Sequence, residues 1–479
     1  MPRDATTTST SKSSQAAQRP FKNDARALTT LADNLRMFVE SFADLFKTKT
    51  DDGLPYARLY LHGLVTEAPR KNMERINEHL DADAYEGVQH FLSASPWDES
   101  KLYAAIAQRA NGRLGGLPGS VLVIDESATS KKGDKSVGVA RQHNGRLGKQ
   151  DNCQVGVYSA LNAGVHSALI GARLFLPKEW TNDPKRCAKA WVPEDQIQER
   201  SKLDLAWELI EQAVRQGVNF ACVCFDCLYG RDSSLREKIH QAGLIYCAEL
   251  PEDTRLFVSA PTMQKRPWNL KAHTRSAKEL GAQMMAGKVK AQNIELREGE
   301  NGMVRVHAWA QRVWVWPEDQ ASREQWLLMT RSEDGSLKFS LCNAPAQTSL
   351  KRMVQWQGAR FHIERAFQDA KSHVGMSQYQ VRGWQGWQHH MALVALGLLF
   401  ITEQRMLQKG GALEMLSARD VVEMLDYCLT RQPTPAQLMK QLSNRHARRK
   451  EQAQAAQKRK RRKFGLPKQR KKQRNHLPK

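Results

Sequence analysis

The stretch VLVIDES, residues 121–127, runs four apolar residues, three of them β-branched, straight into the carboxylate of Asp125. It is preceded by GGLPGS and followed, after Ala128, by TSKKGDK. A run this short and this apolar between such breakers predicts a strand buried on both faces. Burying an unpaired carboxylate costs several kcal/mol, so the acid needs a reason. Either Asp125 lies just past the strand and caps a turn, or it is held at the rim of a sheet to bind something positive.

Working outward, residues 152–177 (NCQVGVYSALNAGVHSALIGARLFLP) predict two antiparallel strands turning at Asn162-Ala163-Gly164. SKLDLAWELIEQAVRQG, 201–217, is an amphipathic helix with Leu205, Leu209 and Ala213 on one face and Gly217 ending it. VNFACVCFD, 218–226, is a second buried strand ending on an acid, Asp226, and LIYCAEL, 244–250, predicts another strand. The order strand, hairpin, helix, strand, helix, strand points to an α/β fold with a mixed sheet flanked by helices. Before it, residues 26–118 carry helical periodicity, as in LADNLRMFVESFADLF, where Leu35, Phe38, Val39, Phe42 and Leu45 recur at helical spacing. GRLGGLPGS at 112–120 suits a connection between the two regions. After it, residues 252–325 form a polar, β-rich insertion containing VRVHAWAQRVWVWPED. A hairpin is expected at 325–345, and helices to about 445.

Composition narrows the class. The 479 residues suffice for two to four domains, and 41% are hydrophobic. Residues 1–25 are Ser/Thr-rich and predict a flexible arm. No basic-then-apolar signal pattern opens the chain. The longest apolar run, MALVALGLLFI at 391–401, is too short for a bilayer and reads as a core helix. Eight cysteines without a disulfide-like framework suit a reducing cytoplasm. Net charge is +23, and the tail 447–479, with fifteen Lys and Arg against the single acid Glu451, carries +14 of it. Such a tail is expected to be solvated and disordered, with nucleic acid or another polyanion as partner.

A third acid would turn the two strand-end aspartates into a site. In ARFHIERAFQDAKSHVG, 359–375, Ile363, Ala366, Phe367, Ala370 and Val374 form one buried helical face, while Arg360, Glu364, Gln368 and Lys371 form another stripe. That stripe also suits ordinary i,i+4 ion pairs worth a few tenths of a kcal/mol. Were Asp125, Asp226 and Glu364 to converge, each close pair would repel by roughly 4 kcal/mol at an effective dielectric near 20. A divalent cation relieves this repulsion, and oxygen-only ligands favour Mg²⁺ or Mn²⁺. Two ions roughly 4 Å apart support in-line attack on a phosphodiester. Arg360 and Lys371 would flank the site and hold DNA phosphates.

The order Asp125, Asp226, Glu364, with an inserted segment before the glutamate, resembles the DDE transposases of bacterial insertion sequences. More narrowly, FLSASPWDE, the block VIDES…KKG.KSVGVARQHNGRLGKQDNCQVGVYSAL and HIERAFQDAKSHVGMSQYQVRGWQGWQHH resemble the insertion-sequence-701-like group, allied to the insertion-sequence-4 group. The resemblance covers roughly residues 30–405 and implies a ribonuclease H-like catalytic core over 119–251 and 326–405. With it come a helical DNA-binding domain at 26–118, the insertion at 252–325, a helical region at 406–446 and the basic tail. It further implies binding of terminal inverted repeats, cutting to free 3′-hydroxyls, joining to target DNA, and a homodimer on paired ends in the bacterial cytoplasm, with no membrane. In the wider alliance the glutamate belongs to a Tyr-two-Arg-three-Glu-six-Lys signature, whose last three slots match Arg360, Glu364 and Lys371. Gln357 stands in the tyrosine slot beside Trp356, and Cys227 follows Asp226 where a small residue is typical. An inactive DNA-binding relative and a nuclease that cuts without joining remain as alternatives.

Other features have competing readings. Lys131, Lys132, Lys135, Arg141, Arg146 and Lys149 surround only Asp134 between Asp125 and the next strand, and are expected to clamp DNA rather than form an idle solvated loop. Cys222, Cys224, Cys227 and Cys247 lack the paired spacing of a zinc site and are expected to pack as small hydrophobes. Glu126 should form a salt bridge, and His389, His390, Trp384 and Trp387 should sit in the core. Trp309, Trp314 and Trp316 suit either a β-sheet core or a wedge at an opened DNA end.

Overall fold

The computed structural model describes residues 26–463 apart from 146, 264–267, 288–289, 300–301, 318–320 and 409–415, so the 1–25 arm lies outside the described residues. Helices come first: α1 (Arg26–Glu40), α2 (Leu54–Leu64), α3 (Met73–His79), α4 (Tyr85–Ser93) and α5 (Glu99–Leu114). Leu31, Leu35, Phe38 and Val39 form the buried stripe of α1. Asn72 and Asp98 cap α3 and α5 with their side chains, satisfying backbone N–H groups that the first turn leaves free.

The chain then enters β1 (Val121–Ser130), β2 (Ala140–Asn144), β3 (Lys149–Ala163) and β4 (His166–Leu174). Short helices α6 (Lys178–Thr181) and α7 (Pro184–Lys189) precede α8 (Lys202–Arg215), which opens on a reciprocal Ser201–Asp204 capping box. Next come β5 (Val223–Phe225), α9 (Cys227–Gly230), α10 (Ser233–Gln241) and β6 (Tyr246–Leu250). The insertion holds β7 (Arg255–Leu256), α11 (Leu270–His273), β8 (Arg275–Ser276), α12 (Ala277–Ala286), β9 (Gln292–Gly299) and β10 (Gly302–Val315). The hairpin β11 (Arg323–Ser332) and β12 (Leu337–Cys342) follows. Helices then close the chain: α13 (Leu350–Ala359), α14 (Phe361–His373), α15 (Trp384–Leu407), α16 (Ala418–Leu429) and α17 (Pro435–Lys463).

One ten-stranded sheet runs β2-β3-β1-β5-β6-β12-β11-β10-β9, with β4 paired to β3. Strand β1 is central, which explains its apolar residues on both faces. It pairs antiparallel with β3 along its whole length, from Val121↔Asn162 to Ser130↔Cys153. Its parallel pairing with β5 is shorter, from Leu122↔Val223 to Ile124↔Phe225. Asp125 is therefore not a turn residue beyond the strand. It stands within β1 at the step where β5 leaves the sheet.

Three features depart from the sequence expectation. The polar segment after β1 contains a strand, β2, because it can pair with the first residues of β3. The apolar run 391–401 is the centre of a longer helix, α15, whose 24 residues are long and apolar enough to cross a membrane, yet 83% of its apolar window is buried inside the protein. Within it Glu403, 1% exposed, accepts from Arg109 Nε at 2.7 Å and Nη2 at 2.8 Å, tying α15 to α5. Residues 447–463 of the basic tail are helical, continuing α17. Their Ala, Gln, Lys and Arg content favours helix, and the helix starts by docking on acids, with Arg445 on Glu78 at 2.7 Å and Arg448 on Glu74 at 3.5 Å. The remainder of the tail lies outside the described residues.

Candidate active site

Asp125, Asp226 and Glu364, far apart in sequence, line one cleft of about 990 Å³ together with Arg360 and Lys371. Each acid arrives by a different local device. Asp125 is fixed by β1 and is 8% exposed. Its Oδ1 accepts from the Glu126 N–H at 2.7 Å, and its Oδ2 lies 3.8 Å from Arg360 Nη1. Asp226 follows β5 and serves as N-cap of α9, its Oδ1 accepting from Leu228 N at 2.9 Å and Tyr229 N at 3.4 Å. Glu364 lies in the first turn of α14, half exposed, with Oε1 accepting from Arg360 Nη1 at 2.5 Å.

The electrostatics follow from this crowding. Burial, and then the charge of Asp226, push the Asp125 carboxyl up to about 7, against the pull of Arg360. Arg360 also reaches Glu249 on β6, with Nε 3.3 Å from Oε2. Burial works against its charge, yet Glu364, Glu249, Asp125 and Asp226 hold its pKa above the usual arginine value. Lys371 Nζ donates to the Ala128 carbonyl of β1 at 3.3 Å, fastening α14 across the strand that holds Asp125.

The three carboxylates of the cleft offer oxygen donors, which match a hard divalent cation, and His143 lines the same cleft. Such a cation relieves both the burial penalty and the repulsion from Asp226 that lift Asp125. Among the described residues, no three His, Cys, Asp or Glu side chains stand close enough to share one ion. The guanidinium of Arg360 supplies the counter-charge between Asp125 and Glu364. In chemistry the residues fit a divalent metal, with Arg360 the group that must yield to it.

A family profile described as DDE superfamily endonuclease matches residues 41–313, more than half of the chain. The chain belongs to the DDE superfamily endonucleases. The matched span includes Asp125 and Asp226 and stops before Glu364. A probable transposase for insertion sequence element IS701 from Microchaete diplosiphon is 31% identical over 199 residues, 40% of this chain and 48% of that protein. The match thus spans about half the length of that curated relative. A piggyBac transposase synaptic complex with hairpin DNA aligns at a TM-score of 0.40 and 9% identity, over 89% of this chain and 82% of that one, a likeness too distant to assign a fold.

In this DDE endonuclease the expected DNA-contacting residues separate. Lys132, Lys135, Arg141 and Lys149 are exposed. Lys131 departs from the expectation: its Nζ lies 3.4 Å from the centroid of the Tyr379 ring, and burial lowers its pKa to about 7. Its amine is thus packed over a core aromatic inside the protein, where its charge is disfavoured. Arg146 lies outside the described residues. Arg360 and Lys371 are in the cleft, tied to carboxylates and to a backbone carbonyl respectively. Gln357 donates from Nε2 to Ser340 Oγ at 2.8 Å, and Trp356 beside it is buried.

Side chains with competing readings also resolve. Glu126 pairs with Lys202 at 2.8 Å. His389 stacks on Trp97 with centroids 3.8 Å apart, His390 Nδ1 meets the Tyr60 hydroxyl at 2.8 Å, and Trp384 and Trp387 are buried. Cys222, Cys224 and Cys247 are buried, with the first two sulfurs 3.9 Å apart, and Cys227 is half-buried. Trp309 is in the sheet core, while Trp314 and Trp316 are partly covered. Sequence reasoning missed Glu249. Its signal was present: YCAEL is another buried strand running into an acid, the same pattern that singled out Asp125 and Asp226.

Proposed function

We propose that this chain is a metal-dependent DDE transposase with a ribonuclease H-like core. In this reading it binds the terminal inverted repeats of an insertion sequence, cuts at the element ends and joins them to target DNA. One observation carries the proposal: two strand-end aspartates and a helix glutamate, separated by more than a hundred residues of chain at each step, line one cleft with Arg360 and Lys371.

Asp125, Asp226 and Glu364 would hold Mg²⁺ or Mn²⁺, a pair of ions in this reading, which when bound would polarise the scissile phosphate and favour the ionised nucleophile. The protein's own groups set the conditions. Asp125 must lose its proton to act as a ligand. Arg360 must exchange its contacts with Asp125 and Glu364 for a phosphate oxygen, and Glu249 remains as its carboxylate partner. Lys371 keeps α14, and with it Glu364, against β1. In the first step water attacks phosphorus, the P–O3′ bond breaks, and a 3′-hydroxyl and a 5′-phosphate result. In the second, that 3′-hydroxyl attacks a target phosphodiester, forming a new P–O bond as the target's own 3′-oxygen leaves with a proton. The chain would act as a homodimer on paired ends in the bacterial cytoplasm, with the exposed Lys132, Lys135, Arg141 and Lys149 contacting phosphates.

The test is incubation of purified protein with Mg²⁺, labelled element ends and a target plasmid. Cutting followed by joining is the expected result, and Asp125→Asn and Glu364→Gln should abolish both while leaving DNA binding intact. Cutting without joining would make it a nuclease, and binding alone an inactive relative. Wild-type cutting rates in both variants would place the chemistry elsewhere.

A further inference from the structure

Trp191 combines two features that a residue without a role would not keep. Its side chain is 69% exposed, and its backbone is left-handed, with φ 52°, a conformation that suits glycine and strains a bulky side chain. The strain is held from several directions. Trp191 N–H donates to Ala188 O at 3.1 Å at the end of α7, Val192 N–H to Cys187 O at 3.1 Å, and Trp384 N–H to Ala190 O at 2.8 Å. The indole rests on Gly383, where an added Cβ would come 3.0 Å from the ring. One part of the ring is thus backed by the protein and the rest faces solvent.

The surroundings are cationic. Lys185 and Lys189, one turn apart on α7, are exposed, and Arg382 is exposed next to Gly383. The Arg382 carbonyl accepts from Val137 N at 2.9 Å, and Arg186 donates to Asp134 O at 2.9 Å. These bonds join this surface to the 131–139 loop, which carries the exposed Lys132 and Lys135. Asp134 and Asp183 are acids among them, and exposed Glu194 and Asp195 follow Trp191 by three and four residues. The same loop connects β1, which holds Asp125, to β2, whose His143 lines the cleft.

We infer that Trp191 is a stacking platform for an unpaired DNA base, with Lys185, Lys189 and Arg382 holding the adjoining phosphates. An exposed, backed aromatic ring set among cations is the chemistry that grips single-stranded nucleic acid. Backbone strain retained at an exposed aromatic position points to function rather than packing. The inference rests on the transposase reading, because it takes DNA as the partner, and adds to it a site for strand ends that have been opened.

The test uses the full-length protein and two labelled probes, a blunt duplex and the same duplex with a 3′ single-stranded overhang. Trp191→Gly should bind the overhang probe about tenfold or more weakly than wild type, with blunt-duplex affinity unchanged. Trp191→Phe should keep most of the overhang affinity. Because glycine suits the left-handed backbone, Trp191→Gly should melt no lower than wild type, so the loss cannot be misfolding. K185Q/K189Q should flatten the salt dependence for the overhang probe by roughly 1–2 in log–log slope. Equal overhang binding by Trp191→Gly and wild type would overturn the inference while leaving the transposase reading intact. A loss of self-association with DNA binding unchanged would assign the surface to a second copy of this chain and also overturn it. Absence of DNA binding by wild type would sink both.

Discussion

Arg360 and Glu364, one helical turn apart, are joined by a 2.5 Å contact, and the same guanidinium nitrogen lies 3.8 Å from Asp125. The pair spans the boundary between α13 and α14, where Arg360 is at once the C-cap of one helix and the residue before the other. The joint between the two helices, at which Arg360 keeps helical dihedrals, thus delivers a cation and a carboxylate to the cleft together. The arrangement keeps like charges apart before any metal or DNA arrives.

Asp125 should trade stability for function. Its folded pKa of about 7 lies above the ordinary carboxylate value. Between about pH 4 and 7 the folded state therefore keeps a proton that the unfolded chain releases, and stability falls as pH rises through that window. Asp125→Asn removes the penalty. In metal-free buffer at pH 8 it should be more stable than wild type, by at most about 4 kcal/mol, with the gain vanishing below about pH 4. Thermal melts across pH check this, and a gain that persists at pH 3 would contradict it.

Glu249 should govern how readily Arg360 yields the cleft carboxylates Asp125 and Glu364. With Glu249→Gln, Arg360 loses a 3.3 Å carboxylate partner and leans more heavily on Asp125 and Glu364. The Mn²⁺ concentration needed for half-saturation, read by paramagnetic resonance of free Mn²⁺, should rise several-fold while DNA affinity holds. An unchanged Mn²⁺ titration would show that Arg360 does not compete.

The exposed cations beside β1 should act through phosphates. K132Q/K135Q/K149Q should weaken binding to all duplexes alike and reduce the log–log salt slope by roughly 2–3. A filter-binding titration with an unchanged slope would return this loop to idle solvent exposure. Lys131→Gln, by contrast, should leave the slope alone, since its amine lies over Tyr379 inside the protein rather than against DNA.

Gly230 should resist any side chain. A Cβ there would lie 1.9 Å from the Glu249 carbonyl oxygen, so Gly230→Ala must push α9 away from β6. Overpacking of this kind costs about 1–3 kcal/mol, and urea denaturation should show that loss. Cutting should fall as well, because α9 carries Asp226 at its N-cap and β6 carries Glu249.

Most of the strands and helices were legible from period and punctuation. VLVIDES declared a strand buried on both faces, and its central place between β3 and β5 bears this out. Asn162-Ala163-Gly164 marked the turn into β4, where Gly164 has φ +58°. The convergence of acids in one cleft was legible because strand ends in an α/β sheet gather at one rim. Other features were not legible because they depend on partners remote in sequence. A polar run becomes β2 only once β3 lies beside it. Lys131 looks like its exposed neighbours until Tyr379, some 250 residues later, is placed beneath it. Glu249 was visible as a residue, but its pairing with Arg360 needed the fold.

The hydrogen-bonded ladder that joins β6 to β12 has a mechanical consequence. Among the described residues, backbone pairing runs unbroken from β9 and β10 through β11, β12, β6 and β5 to the strand that bears Asp125, so a tug on one edge is carried through the sheet as through a plank.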